Sequence, residues 1–363
     1  MSMKSLLLIP QLLKSLLLKF LFIATLCIAS IAHAEVKPQM SKFQMLMTEL
    51  SPYLMNEAEY RKTENKEKVL DILNRINQNI DLLKHDQSVN DPSMKFRFET
   101  LSEGFKDVSE TYKNGFLDYS YWSLKSQVHQ CSACHTEKQL AERGFKYDLT
   151  KSADAYEQAE FLYMIRNYGE AIPKYIELVK GYPKNKLSEN HLNRAIKKIG
   201  YYHIRVLKDD AVTLKIFKEL QSNKDLPVYL NRNLAKWINY LEIKKFRLLP
   251  ESADDQTVKT MKTFVKDRDG VASHFGMGDD RFVIDQETLI YLHRVLENNK
   301  NKELTPWLYL WIAQIQNNYR DSLFDNTGEL YLKECVKNYS KSKAAPECKK
   351  ELKLISGDYK KKK

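Results

Sequence analysis

The chain has 363 residues, 43% of them hydrophobic, with only 11 glycines and 10 prolines. That composition supports a sizeable core and excludes a disordered or low-complexity chain. A formal charge of +11 favours encounter with acidic partners. There is no convincing alternating apolar–polar run and no Asn-Gly hairpin turn, while apolar residues recur at helical spacing almost throughout. The expected fold class is therefore all-α.

Residues 1–34 read as an export signal. Lys4, Lys14 and Lys19 form a positive leader, an apolar stretch runs from Phe20 to about Ile31, and Ala32-His33-Ala34 has the small-x-small form of a cleavage site. Cleavage is expected before Glu35. The apolar core is short for a membrane span, which needs about 20 residues, so no span is expected in the mature chain. The implied location is the periplasm, where nucleic acid is not an expected partner.

Residues 35–146 read as four helices, over about 38–60, 65–85, 94–113 and 117–142. Met40, Phe43, Met47, Leu50 and Leu54 share one face of the first. Val69, Ile72, Leu73, Ile76, Ile80 and Leu83 repeat the pattern in the second, and Phe96, Phe98, Leu101, Phe105 and Val108 carry the third. Gly115 ends that third helix, as glycine at helix C-termini often does. Four amphipathic helices with short loops suggest an up-and-down four-helix bundle.

The fourth helix contains Cys131-Ser-Ala-Cys134-His135. Two thiols three positions apart can form thioethers to the two vinyl groups of one haem, and the next histidine can then ligate the iron from the same side. This makes Cys131 and Cys134 candidate covalent tethers of one haem c, and His135 its candidate proximal ligand. Three other readings compete. A thioredoxin-like dithiol wants a βαβ setting, a structural zinc wants four ligands, and a plain disulfide leaves the histidine without a role.

With that box near the end of its last helix, the 35–146 segment resembles the class II cytochromes c, the cytochrome c′ group. Gly115-Phe-Leu117-Asp opens the helix like the Gly-x-Leu-x start of the family's final helix. Ordinary class I cytochromes c place the box near the start of the domain instead. The chain departs from the family at Gln127, where an apolar residue usually stands four before the first cysteine, and in its long C-terminal extension. The resemblance implies a distal ligand on the first helix: Met40 is the first choice and Met47 the second, while Met45 points off the apolar face. An open or water-bound iron, or a histidine such as His85, are the alternatives; His129 is expected on the helix surface. A methionine ligand suits electron transfer and an open iron suits gases such as nitric oxide. Methionine on an apolar stripe is also ordinary core packing. The family's frequent dimers leave the oligomeric state open.

Residues 150–363 read as shorter helix pairs. Residues 152–183 resemble one tetratricopeptide repeat, with Ala159, Ala171 and Tyr175 at the helix crossing, Gly169 in the turn and Pro183 closing the unit. Residues 303–339 look like a degenerate second copy, and helical stretches are expected at about 187–206, 208–222, 227–246, 254–267 and 285–298. The expectation is a tetratricopeptide-like α-solenoid whose surface binds a partner protein or the haem domain itself. Cys335 and Cys348, thirteen apart across a helix–turn–helix, are expected to pair as a structural disulfide. The glycine-rich stretch from Asp269 to Asp280 reads as a surface loop. His191, His203, His274 and His293 read as structural or surface groups.

No acid–base pair, nucleophile constellation or second metal motif suggests an enzyme. The expected function is one-electron transfer with a redox partner protein; a gas-binding or haem-sensing module and a haem-stabilised scaffold are the alternatives.

Overall fold

A computed structural model describes residues 36–84, 92–137, 154–243, 256–275, 278–319 and 327–356. The leader, His85 and the C-terminal lysine run lie outside them. The described residues are all-helical, with no strand.

The first group of helices comprises α1 (Val36–Leu54), the short α2 (Glu57–Arg61), α3 (Lys66–Lys84), α4 (Pro92–Lys113) and α5 (Leu117–Glu137). The single helix expected over 38–60 is therefore broken. Pro52 has no N–H to return to Thr48, whose carbonyl receives the Ser51 hydroxyl instead (2.7 Å). Asn56 then leaves helical geometry (φ −136°, ψ 101°) and caps α2, its side chain accepting from the Glu59 N–H at 3.2 Å. The end of α4 is as expected. Gly115 takes φ +83°, so the Phe116 N–H reaches the Thr111 carbonyl (2.9 Å) and the Gly115 N–H reaches Tyr112 (3.1 Å).

Side-chain bonds show successive long helices running antiparallel. Asn79 donates to Gln39 between α3 and α1 (2.9 Å) and Arg97 to Gln130 between α4 and α5 (3.2 Å), while between α3 and α4 Asn77 donates to Ser109 (2.7 Å) and Ser102 to Asp81 (3.2 Å). At the far end, α2 is pinned by Tyr60 bonded to Ser120 (2.7 Å), and by Tyr112 donating to the Tyr60 carbonyl (3.0 Å). Met40, Leu83, Met94 and the Cys131–His135 turn therefore share the opposite end.

The second group comprises α6 (Ala155–Met164), α7 (Tyr168–Lys180), α8 (Glu189–Tyr201, continued by a π-helical turn to Leu207), α9 (Asp210–Gln221) and α10 (Val228–Glu242). It continues with α11 (Val258–Phe275), α12 (Phe282–Asn298), α13 (Thr305–Asn317), α14 (Thr327–Asn338) and α15 (Ala345–Ser356). Each of the five middle stretches read from periodicity coincides with a helix over its described residues. Ala159, Ala171 and Tyr175 are fully buried where α6 and α7 pack together. Two details differ. The α6–α7 reversal is made by Arg166 at φ +65°, and Gly169 lies inside the first turn of α7. Asp269 and Gly270 are helical within α11, and Gly278 to Asp280 lie in a 3-10 helical turn, so the described part of the stretch expected as a surface loop is helical.

The two groups share their cores. One apolar cluster runs from Phe43 on α1 through Cys131 on α5 to Phe282 on α12. A second joins Phe96 of α4 to Tyr309, Tyr331, Cys335 and Cys348, with the Phe96 and Tyr331 ring centroids 4.7 Å apart. No helix among the described residues is long and apolar enough to cross a membrane.

Candidate functional site

The C-terminal half of α5 is the most enclosed helix surface on the first group. Every residue from Gln127 to Cys134 is buried, polar ones included. An amphipathic helix normally leaves its polar face to water; here the second group covers it. Leu124, Val128 and Cys131 face the shared core. On the other side Ser132, Ala133 and Thr136 lie against Tyr163, Lys198, Tyr201 and Arg205 around a cavity of about 10 Å3. Gln127, the departure from the expected pattern, fits because it packs on Gly104: a Cβ there would stand 2.3 Å from the Gln127 amide.

His129, expected on the surface, is buried (8% exposed). It faces an ion cluster built by α6, α7 and α8. Glu160 holds Lys198 Nζ at 2.5 Å, accepts from the Tyr175 hydroxyl at 2.6 Å and lies 3.4 Å from His129 Nδ1. Burial opposes ionisation of Glu160, but the charges of Lys198 and the bonds from Lys198 and Tyr175 outweigh it and hold its carboxyl down to about 2. Burial, aided by the Lys198 charge, pushes His129 down to about 3, so its imidazole is neutral at pH 7. Lys125 beside the cluster is ion-paired to Glu157 and lowered to about 8 by burial.

Cys131 and Cys134 are both buried and not bridged to one another. Burial, reinforced by Cys134, pushes the Cys131 thiol up to about 12. A reactive redox dithiol has the opposite property, a depressed thiolate pKa. Cys134 Sγ lies 3.7 Å from Met94 Sδ at the start of α4. Met94 was not singled out from sequence, since the periodic face of that helix was read from Phe96 onward. His135 Nδ1 lies 2.9 Å from the backbone oxygen of Met164, the last residue of α6. An imidazole that donates through Nδ1 carries its ligating lone pair on Nε2, the usual arrangement of a metal-bound histidine. Two thiols and an oriented imidazole on consecutive turns of one buried helix are a donor set that fits a covalently tethered haem.

Met40 is half-buried at the Cys134 end of α1, whereas Met47 is 2% exposed and about 10 Å deeper along the helix axis. Met45 is 60% exposed, off the apolar face as expected. His203 and His293 are buried, and His191 stacks on Tyr156 (4.2 Å between centroids). The His274 side chain lies outside the described residues. Cys335 and Cys348 lie at disulfide distance, with S–S 2.10 Å and Cα–Cα 6.3 Å. Among the described residues no three His, Cys, Asp or Glu side chains converge as a metal-binding group, whereas a structural zinc requires four ligands. No family model, no curated protein and no solved structure matches the chain.

Proposed function

We propose that this chain is an exported, periplasmic mono-haem c-type cytochrome. Its first helical group is read as a class II four-helix bundle and its second as a tetratricopeptide-like solenoid. Cys131 and Cys134 tether one haem c, and His135 is its proximal ligand. The observation that carries the reading is the placement of both thiols and the carbonyl-anchored imidazole on one buried helix. When bound, the haem supplies an iron that accepts and returns one electron. The chain's own part is to exclude water from the tethers, fix the imidazole's tautomer and pack the helix from both sides. Met40 is the favoured distal ligand because it shares the Cys134 end of the helices; Met47, enclosed in the core, is better placed for packing.

A second reading, a gas-binding or haem-sensing module, draws on one observation. The proximal histidine is tied to the second group, so movement of the imidazole is felt there directly. Optical spectra of the exported protein, oxidised and reduced, with and without nitric oxide, separate the two. Sharp reduced bands unaffected by the gas support the methionine-ligated electron carrier. A broad high-spin spectrum that shifts with nitric oxide supports the sensing module.

A further inference from the structure

The contact between His135 and α6 has a consequence for the proposed haem centre, and the inference rests on that reading. The residue accepting from the imidazole belongs to the second helical group, not to the bundle that carries the box. Met164 closes α6, and the last carbonyls of a helix have no N–H partner within it. They also form the negative end of the helix dipole. The reversal that follows is specific. Arg166, at φ +65°, lets its own N–H reach the Tyr163 carbonyl (3.1 Å) and the Asn167 N–H reach Leu162 (2.9 Å). This closes α6 so that the Met164 oxygen lies 2.9 Å from His135 Nδ1. The position is held by neighbours on both sides: Arg205 donates to Thr136 Oγ1, one residue beyond His135, at 3.5 Å, and Tyr163, one residue before Met164, donates to the Lys198 carbonyl at 3.2 Å.

We propose that the second helical group is a structural part of the haem centre, with the Met164 carbonyl acting as the positioning partner of the proximal histidine. A histidine that donates to a carbonyl at a helix C-terminus is a stronger base at its ligating nitrogen, because the acceptor stabilises the positive charge the ring gains on binding iron. The appended helices thereby favour the ferric state and fix the plane of the imidazole. Arg166 contributes to this arrangement through its left-handed backbone, which shapes the closing turn.

The test compares Arg166→Val with Arg166→Gly in the full-length exported protein. A β-branched residue is a poor occupant of φ +65°, whereas glycine adopts it freely. Valine should loosen the closing turn and displace the Met164 carbonyl; glycine should leave it in place. Three properties are read: covalent haem on a denaturing gel, the reduction midpoint, and exchange of the His135 ring Nδ1–H with water by nitrogen-15 NMR. With haem attached in both, Arg166→Val should exchange faster at Nδ1 and show a more positive midpoint than Arg166→Gly, both variants lacking the arginine side chain. Parent-like exchange and midpoint in Arg166→Val overturn the inference, as does an Arg166→Gly chain that departs from the parent as far as Arg166→Val does. A parent protein with no covalent haem overturns the haem reading and the inference with it.

Discussion

Replacing Glu160 by Gln tests whether the Glu160–Lys198 ion pair packed behind α5 is buried and coupled. The substitution keeps the shape and leaves an oxygen for the Tyr175 hydroxyl, now at 2.6 Å from Glu160. It removes the counter-charge from Lys198, which is 4% exposed. Taking one partner from a buried ion pair costs about 3–5 kcal/mol, because the remaining charge stays in a low-dielectric site. Replacing both, as Glu160→Gln with Lys198→Met, leaves no stranded charge and should recover at least half of that loss. Urea unfolding at pH 7, followed by circular dichroism, gives the four corners of the double-mutant cycle. A loss below about 1 kcal/mol in Glu160→Gln, or a Lys198→Met cost that is the same in either background, would refute the claim that the pair is buried and coupled.

The same cluster sets a pH dependence. Glu160 has a folded pKa depressed to about 2, so its stabilisation is complete above the ordinary carboxylate value and is lost as pH falls toward 2. His129 is depressed to about 3, so the folded state resists a proton that the unfolded state accepts below about 6.5. Both act in one direction: stability should fall continuously from pH 6.5 to pH 3, and Glu160→Gln should flatten the lower part of that curve in pH-resolved urea titrations. Replacing Cys335 and Cys348 together by Ser should cost about 3 kcal/mol, from the entropy of a 13-residue loop, measured as a lower unfolding midpoint that reductant reproduces in the parent. Met40→Ala should alter the oxidised visible spectrum with little loss of stability. Met47→Ala should cost about 2–5 kcal/mol as a core truncation and leave the spectrum unchanged; the reverse pattern would exchange their roles.

Helix content was readable because it rests on local periodicity: Val69 to Leu83 and Phe96 to Val108 repeat at helical spacing, and Gly115 has no side chain to resist a positive φ. What the periodicity missed came from contacts between distant segments. Nearness to the Cys-x-x-Cys-His box points His129 to the helix surface; nothing local signals that Glu160 and Lys198, in the second group, cover that side. Gln127 was read as an oddity because its partner is the absent side chain of Gly104 on another helix. The break after Pro52 was overlooked because the apolar face continues to Leu54 and the capping role of Asn56 is a short-range polar signal within a long periodic one. The Cys-x-x-Cys-His box was legible from spacing alone, yet its histidine's tie to the Met164 carbonyl has no sequence signature, since any residue at 164 supplies the same oxygen.

The most direct test of the haem proposal is haem staining of the protein on a denaturing gel after export in a host that matures c-type cytochromes. The parent chain should stain, and the Cys131→Ser/Cys134→Ser chain, exported at equal level, should not. His135→Ala should affect axial ligation rather than the two thioether positions. A parent chain that does not stain, or a double variant that still does, would contradict covalent attachment at Cys131 and Cys134.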